Sequence, residues 1–431
     1  MRVIAVVSLV SAVVLLAILS RATRGRAASP PQIVLRVANW GSPAVESSFM
    51  TLEREIRGEF ERQHSGVRVQ FEQIPGFGQY APKLLMMHVS GSVPDVVALD
   101  ASSAAVFINN GVVCDLAPFI ARDPEFHLAD YFEKVVQIFR RDERVYSIPL
   151  DFTPMMLFFN RKLFDAAGVP YPQRGWTWND FLYTAQMLTT PPDQPGAAPR
   201  QYGMHFMNVM PFWVLWLWTN GGDVLDTEGR RATGHFDGPR SVEAVQFLTD
   251  LMLKYHVAPT IDEGKAAGVD LFRAGRAAMD VKGHWMMIDY RADGLEFGVV
   301  ELPTNTGRPS TVIYAAGLSI MSKAQHPDLA WEYIKFMTSR DVQIRRVASG
   351  LAISSNRQAA ARYAGTPVED AFIAAVEYAR APWGATVERY PVVEGLGEEM
   401  MEDLLRSRAA LGVAVELHHA AELIDAALTE P

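Results

Sequence analysis

Apolar and polar positions along the chain sort it into short strands and amphipathic helices. Ile33-Val-Leu-Arg-Val-Ala38 reads as a strand, Phe49 to Phe60 carries apolar residues at helical spacing, and Val67-Arg-Val-Gln-Phe71 alternates apolar with polar. One helix between two strands is a βαβ unit and predicts a parallel pair. The pattern repeats with a helix over Ala81 to His88 and a strand over Val96 to Leu99. Ligands of such sheets bind beyond the carboxyl ends of the strands. That rule directs attention to Asn39-Trp40-Gly41 and Asp100-Ala-Ser102.

Farther along, Val145 to Phe152 is extended and contains a proline, and Met155 to Phe159 begins a new apolar strand. Thr177 is placed to cap a helix from Trp178 to Leu188, followed by a proline-rich loop from Pro191 to Pro199. Val299 to Pro303 reads as a strand. Pro327 to Ser339 reads as a helix that turns Leu329, Tyr333, Phe336 and Met337 toward a core. The stretch from Ala371 to Leu428 is mostly helical.

Length changes this picture from one body to two, because 431 residues exceed the roughly 250 to 300 at which a single core stops growing. A net charge of -9 without a Lys/Arg stripe excludes a nucleic-acid partner. Met1-Arg2 followed by an apolar run from Val3 to Leu19 is export-signal chemistry. Arg21, Arg24 and Arg26 leave two outcomes open: cleavage after residue 28, with a mature chain starting near Ser29, or an uncleaved anchor. The single cysteine, Cys114, permits neither an internal disulfide nor a thiolate metal cluster. It lies far from the signal, so an exported, periplasmic protein is expected and a lipoprotein is not.

The segments Gly91-Ser-Val-Pro-Asp-Val-Val97, Ile148-Pro-Leu-Asp-Phe152, Phe158-Phe-Asn-Arg-Lys-Leu-Phe164 with Trp176-Thr-Trp178, Trp218-Thr-Asn-Gly-Gly222, Gly283-His-Trp285, Ala316-Gly-Leu-Ser319 and Pro327-Asp-Leu-Ala-Trp331 occur in this order. Together they resemble the extracellular solute-binding family 1 that contains maltose-binding protein and the glycerol-phosphate-type binding proteins. The resemblance implies an α/β fold of two lobes, joined by three hinge crossings around an interlobe cleft. The crossings are expected near residues 148–152, 303–308 and 351–356. One lobe then comprises 32–148 with 308–351, and the other 153–303 with 356–431. The implied function is the substrate-binding subunit of an ABC importer, a monomer that captures a sugar by hinge closure and presents it to membrane permease subunits. A phosphorylated polyol such as a glycerol-phosphate diester is the alternative solute. A sensor component and a glycosidase are the rival classes.

Sugar rings have apolar faces that suit flat aromatic side chains and a hydroxyl rim that suits polar ones. Trp40 and Trp285, the latter in a turn led by Gly283, match positions where the family faces its cleft. Trp213 and Trp216 share a helix face and are read either as ligand platforms or as core. Asp100 either orients hydroxyls or caps the next helix. Asp151 touches ligand or fixes the hinge. Asn39 and Asn220 both donate and accept. Tyr80 is placed at the cleft edge, and Arg389 matches the region where phosphate-binding relatives carry an arginine. No cofactor or metal is implied. The chain carries no Gly-x-Ser-x-Gly elbow, His-Glu-x-x-His helix or Gly-Lys-Ser/Thr loop.

Overall fold

Strands β1 (Ile33–Trp40) and β2 (Val67–Ile74) are connected by the helix Ser48–Gln63 and pair in parallel, from Ile33 opposite Val67 to Trp40 opposite Ile74. A second helix, Phe77–Ser90, ends at Gly91, whose φ of 73° is left-handed. Glycine enters that region without Cβ strain and stops the helix there. β3 (Val96–Asp100) follows and pairs with β1 in parallel, all five of its residues buried. Its continuous apolar run is what a strand covered on both faces requires. These features come from a computed structural model that describes residues 32–41, 48–191, 201–350, 352–406 and 412–429. The expected export segment, residues 192–199 of the proline-rich loop and Leu351 at the expected third crossing lie outside them.

The later strands, in chain order, are β4 (Arg140–Arg141), β5 (Arg144–Val145), β6 (Ile148–Pro154), β7 (Met156–Asn160), β8 (Tyr202–Met204), β9 (Ala277–Lys282), β10 (Phe297–Val300), β11 (Thr311–Ile320), β12 (Ile353–Ser354) and β13 (Ala379–Arg380). The larger sheet runs β12-β6-β11-β3-β1-β2, with β13 beside β11. The second sheet runs β10-β7-β9-β8. Only Met155 separates β6 in the first sheet from β7 in the second, and the chain returns between β10 and β11. The fold is therefore mixed α/β with a sheet at the centre of each lobe.

Among the described residues one apolar cluster packs on each sheet, and a third, which includes Leu99 of β3, Phe152 of β6 and Phe158 of β7, runs across both. In the second lobe, the helix Met210–Thr219 is apolar on every side and almost wholly buried, as a helix without a polar face must be. Trp216 packs there against Trp178, Phe181 and Phe247, with ring centroids 6.2, 5.1 and 5.9 Å away. Thr177 caps the helix Trp178–Met187 in a reciprocal box with Asp180. In the first lobe, Tyr333, Ile334 and Met337 of the helix Pro327–Thr338 are buried with Phe60 and Leu318, while Leu329 and Phe336 pack alongside. The buried Asp95 carboxylate accepts backbone N–H groups of Arg36, Gln325 and His326 at 2.8 to 2.9 Å, tying the turn before β3 to the segment after β11.

Candidate ligand-binding cleft

A cavity of about 550 Å³ opens where the carboxyl ends of β1 and β3 face the second lobe. The first sheet contributes Trp40 from the end of β1, Asp100 from the end of β3, Asp151 to Thr153 from β6, and Tyr314 to Ala316 from β11. The second lobe answers with Val209, Pro211 and Phe212 at the start of the helix Met210–Thr219, Trp285, and Glu394 and Glu398 from the helix Tyr390–Leu405. Trp40 and Trp285 thus reach one cavity from opposite lobes.

Local chemistry explains each placement. Asp100 both lines the cavity and caps the short turn Ala101–Ser103, accepting the Ser102 N–H at 2.8 Å and the Ser102 hydroxyl. Burial pushes its carboxyl up to about 6, against the pull of those donors. Asp151 accepts from Arg346 at 3.0 Å, and Arg346 also pairs with the buried Glu53. Burial, then the Asp100 carboxylate, push Asp151 upward as well. Trp285 lies in the turn His284–Met286, where the buried His284 donates its backbone N–H to Thr153 Oγ1 at 2.7 Å and its ring meets Glu369 at 2.8 Å. The turn is thereby fixed to β6, the strand that carries the chain between sheets.

Glu394 and Glu398 are four residues apart and share a helix face. Glu398 accepts the Met210 N–H at 2.8 Å, satisfying the start of a helix that has no side-chain cap of its own. Burial, then Glu398 and Asp100, push the Glu394 carboxyl up to about 8. Burial likewise holds the Tyr314 phenol protonated, as a donor.

Several expected site residues lie elsewhere. Trp213 and Trp216 are fully buried in the second core, and the Trp213 indole N–H donates to Asn208 at 3.2 Å. Asn220 is also fully buried, because its amide is consumed by the Arg240 carbonyl, Glu243 and Asn305 at 2.7 to 2.9 Å. Tyr80 stands behind Trp40, with its hydroxyl donating to the Ala38 carbonyl at 3.0 Å. Asn39 turns its side-chain oxygen to the Trp40 N–H at 2.7 Å. Arg389 sits just before the helix Tyr390–Leu405 and does not line the cavity. Gly283 contributes by its lack of a side chain, since a Cβ there would overlap the Trp285 ring. Cys114 is half-buried, with its sulfur 3.6 Å from the Met321 carbonyl. His418 is exposed and pairs with Asp237 at 2.6 Å.

Sequence reasoning missed Phe212, Tyr314, Glu394 and Glu398. Phe212 directly precedes Trp213, and the i,i+4 glutamates follow Arg389 closely, but a helix-face carboxylate has the signature of ordinary solvated surface. A second chamber of about 670 Å³ shares Val209, Phe212 and Trp285 with the cleft and continues past Lys282 and His205. Beside it, donor atoms of His205, Asp270 and Asp280 lie within 4.8 Å of one another, a grouping the sequence did not suggest. The Lys282 ammonium, 3.4 Å from Asp280, already supplies a cation there. No helix among the described residues is long and apolar enough to cross a membrane.

This geometry has relatives. A solved ABC substrate-binding protein of Listeria monocytogenes, in complex with cycloalternan, superposes with a TM-score of 0.80 at 21% identity, covering 93% of this chain and 100% of that one. That likeness is one of fold. The multiple sugar-binding protein of Streptococcus mutans is 23% identical over 67% of this chain and 68% of its own. The sn-glycerol-3-phosphate-binding periplasmic protein of Rhizobium meliloti is 21% identical over 68% and 69%. The family model for bacterial extracellular solute-binding proteins matches residues 43–344, and the two-lobed chain belongs to that family.

Proposed function

We propose that this chain is the exported, extracytoplasmic substrate-binding subunit of an ABC importer, which captures a carbohydrate between its lobes and delivers it to the membrane permease. The observation that carries the reading is the pairing of Trp40 and Trp285 across one cavity that also presents carboxylate acceptors and the Tyr314 hydroxyl. Aromatic faces take the apolar side of a sugar ring, and the polar groups take its hydroxyls. Closure would bring the two halves of the site together, and only differential affinity for the closed form can drive it. The solute-binding role leaves the carboxylates as ligand acceptors, so no hydrolytic activity is assigned to them.

The glycerol-phosphate relative favours a second reading, a phosphorylated polyol. The lining counts against it: Arg389 lies off the cavity, and the charged side chains that do line it are carboxylates, which repel phosphate.

Thermal unfolding of the protein against mono- and oligosaccharides and glycerophosphodiesters tests both. A ligand of the folded state alone stabilises by about 2.7 kcal/mol at a hundredfold excess over its dissociation constant. A shift with sugars supports the carbohydrate reading. A shift confined to phosphorylated compounds replaces it with the second.

A further inference from the structure

Every charged side chain lining the cleft cavity is acidic: Asp100, Asp151, Glu394 and Glu398 face it, and no described lysine, arginine or histidine does. Asp151 has a counter-charge in Arg346. The other three do not. Asp100 and Glu398 accept from Ser102 and Met210, neutral donors that leave the formal charge in place. Glu394 has neither a hydrogen bond nor an ion pair among the described residues, although Glu398 and Asp100 are near enough to perturb it.

Ionised together in this cleft, the three carboxyls would repel one another more strongly than in water, and in the ligand-free protein Glu394 meets that cost by holding a proton, its carboxyl pushed up to about 8. A neutral solute leaves that repulsion standing, an anion increases it, and a cation relieves it. The aromatic lining acts in the same direction, because the negative faces of Trp40, Trp285, Phe212 and Tyr314 attract cations. Phe212 already does so within the protein, with the Lys282 ammonium 4.9 Å from its ring centroid.

We propose that the solute of this cleft carries a protonated amine: an amino sugar or aminated oligosaccharide whose ammonium group sits among Asp100, Glu394 and Glu398 while its ring packs on Trp40 and Trp285. The assignment rests on the carbohydrate reading above and narrows it. It also explains why an acidic side chain without a partner is held at a ligand cavity.

Calorimetric titration of the full chain at pH 6.5 with glucose, glucosamine and N-acetylglucosamine, and with their β-1,4-linked dimers, separates charge from shape. Spermidine serves as an amine without a sugar ring. The expected result is that the amine-bearing sugars bind at least about tenfold more tightly than their neutral and acetylated counterparts. Glu394→Gln, which keeps side-chain size, should remove most of that preference, read as the ratio of amine to neutral-sugar affinity within the same variant. Asp100→Asn is the companion variant should the first fail to fold. Neutral sugars binding as tightly as their amines would overturn the amine assignment and leave the carbohydrate reading in place. Binding of spermidine with no response to any sugar would overturn the carbohydrate reading. A chain that binds no member of the panel overturns the amino-sugar assignment.

Discussion

The ring of Tyr80 stands edge-on to the indole of Trp40, with centroids 5.4 Å apart and planes at 79°, while its hydroxyl is tied to the carbonyl of Ala38, two residues before Trp40 in β1. A residue outside the cavity therefore sets the angle of one inside it. Tyr80→Phe keeps the ring contact and loses one buried hydrogen bond. It should lower stability by about 1 kcal/mol with affinity near wild type. Tyr80→Ala should weaken ligand binding as well, because Trp40 loses its support. Denaturant unfolding and calorimetric titration of both variants check this.

The Trp285 ring depends in the same way on Gly283, where an added Cβ would overlap it. Gly283 has a φ of -89°, so the constraint is space and not backbone conformation. Gly283→Ala should rotate the indole out of the cavity, reduce ligand affinity and change tryptophan fluorescence while the protein stays folded. An unchanged affinity would show that the ring position at this turn does not matter for binding.

Core and cleft tryptophans should respond oppositely to truncation. Trp216→Ala removes a fully buried ring and should cost about 3–5 kcal/mol of stability. Trp285→Ala, at the cavity wall, should cost little stability and much affinity. Comparing unfolding midpoints with binding isotherms for the two variants separates the roles.

Arg346 is almost wholly buried and joins Asp151 of the cavity to Glu53 of the helix Ser48–Gln63. Replacing it with methionine leaves Asp151 without its counter-charge and Glu53 with only the more distant Arg57, 3.7 Å away, and one-sided loss of a buried pair costs about 3–5 kcal/mol. The drop should be read by urea unfolding. The further change Asp151→Asn in the same chain should recover part of it.

Acidic residues of the cleft also set the pH response of the ligand-free protein. A carboxyl whose pKa is higher folded than unfolded holds its proton more tightly when folded. Its contribution to stability is complete below the unfolded value and is lost as pH rises through the folded one. Asp100 rises from 3.8 to about 6 and Glu394 from 4.5 to about 8. The unfolding temperature should therefore fall between pH 5 and pH 8. Asp100→Asn should flatten the lower part of that fall and Glu394→Gln the upper part. Thermal scans across the range, without ligand, give the profile.

Much of the fold was legible along the chain because its signals are local. β1, β2 and β3 and the helix between each pair follow from periodicity, and the rule for strand ends pointed to Trp40 and Asp100, both of which line the cavity. The family motifs supplied Trp285 and Asp151. The aromatic run after Phe212 was misleading for a physical reason: a helix apolar on all sides has no periodic stripe to say which part meets solvent, and only its first turn reaches the cleft. Asn220 carried the right chemistry for a sugar, but three neighbours distant in sequence already occupy its amide.

By itself the sequence determined the alternation of strands and helices, the need for two cores and the chemical types available to a ligand, since each depends on neighbouring residues or on bulk composition. Only the tertiary structure decided which aromatic rings are wall and which are core. It also brought Glu394 and Glu398 to Asp100, nearly three hundred residues earlier in the chain, because contact between distant segments is set by how whole helices and sheets pack. That packing turns two ordinary helix-face glutamates into the acidic wall of the candidate cleft.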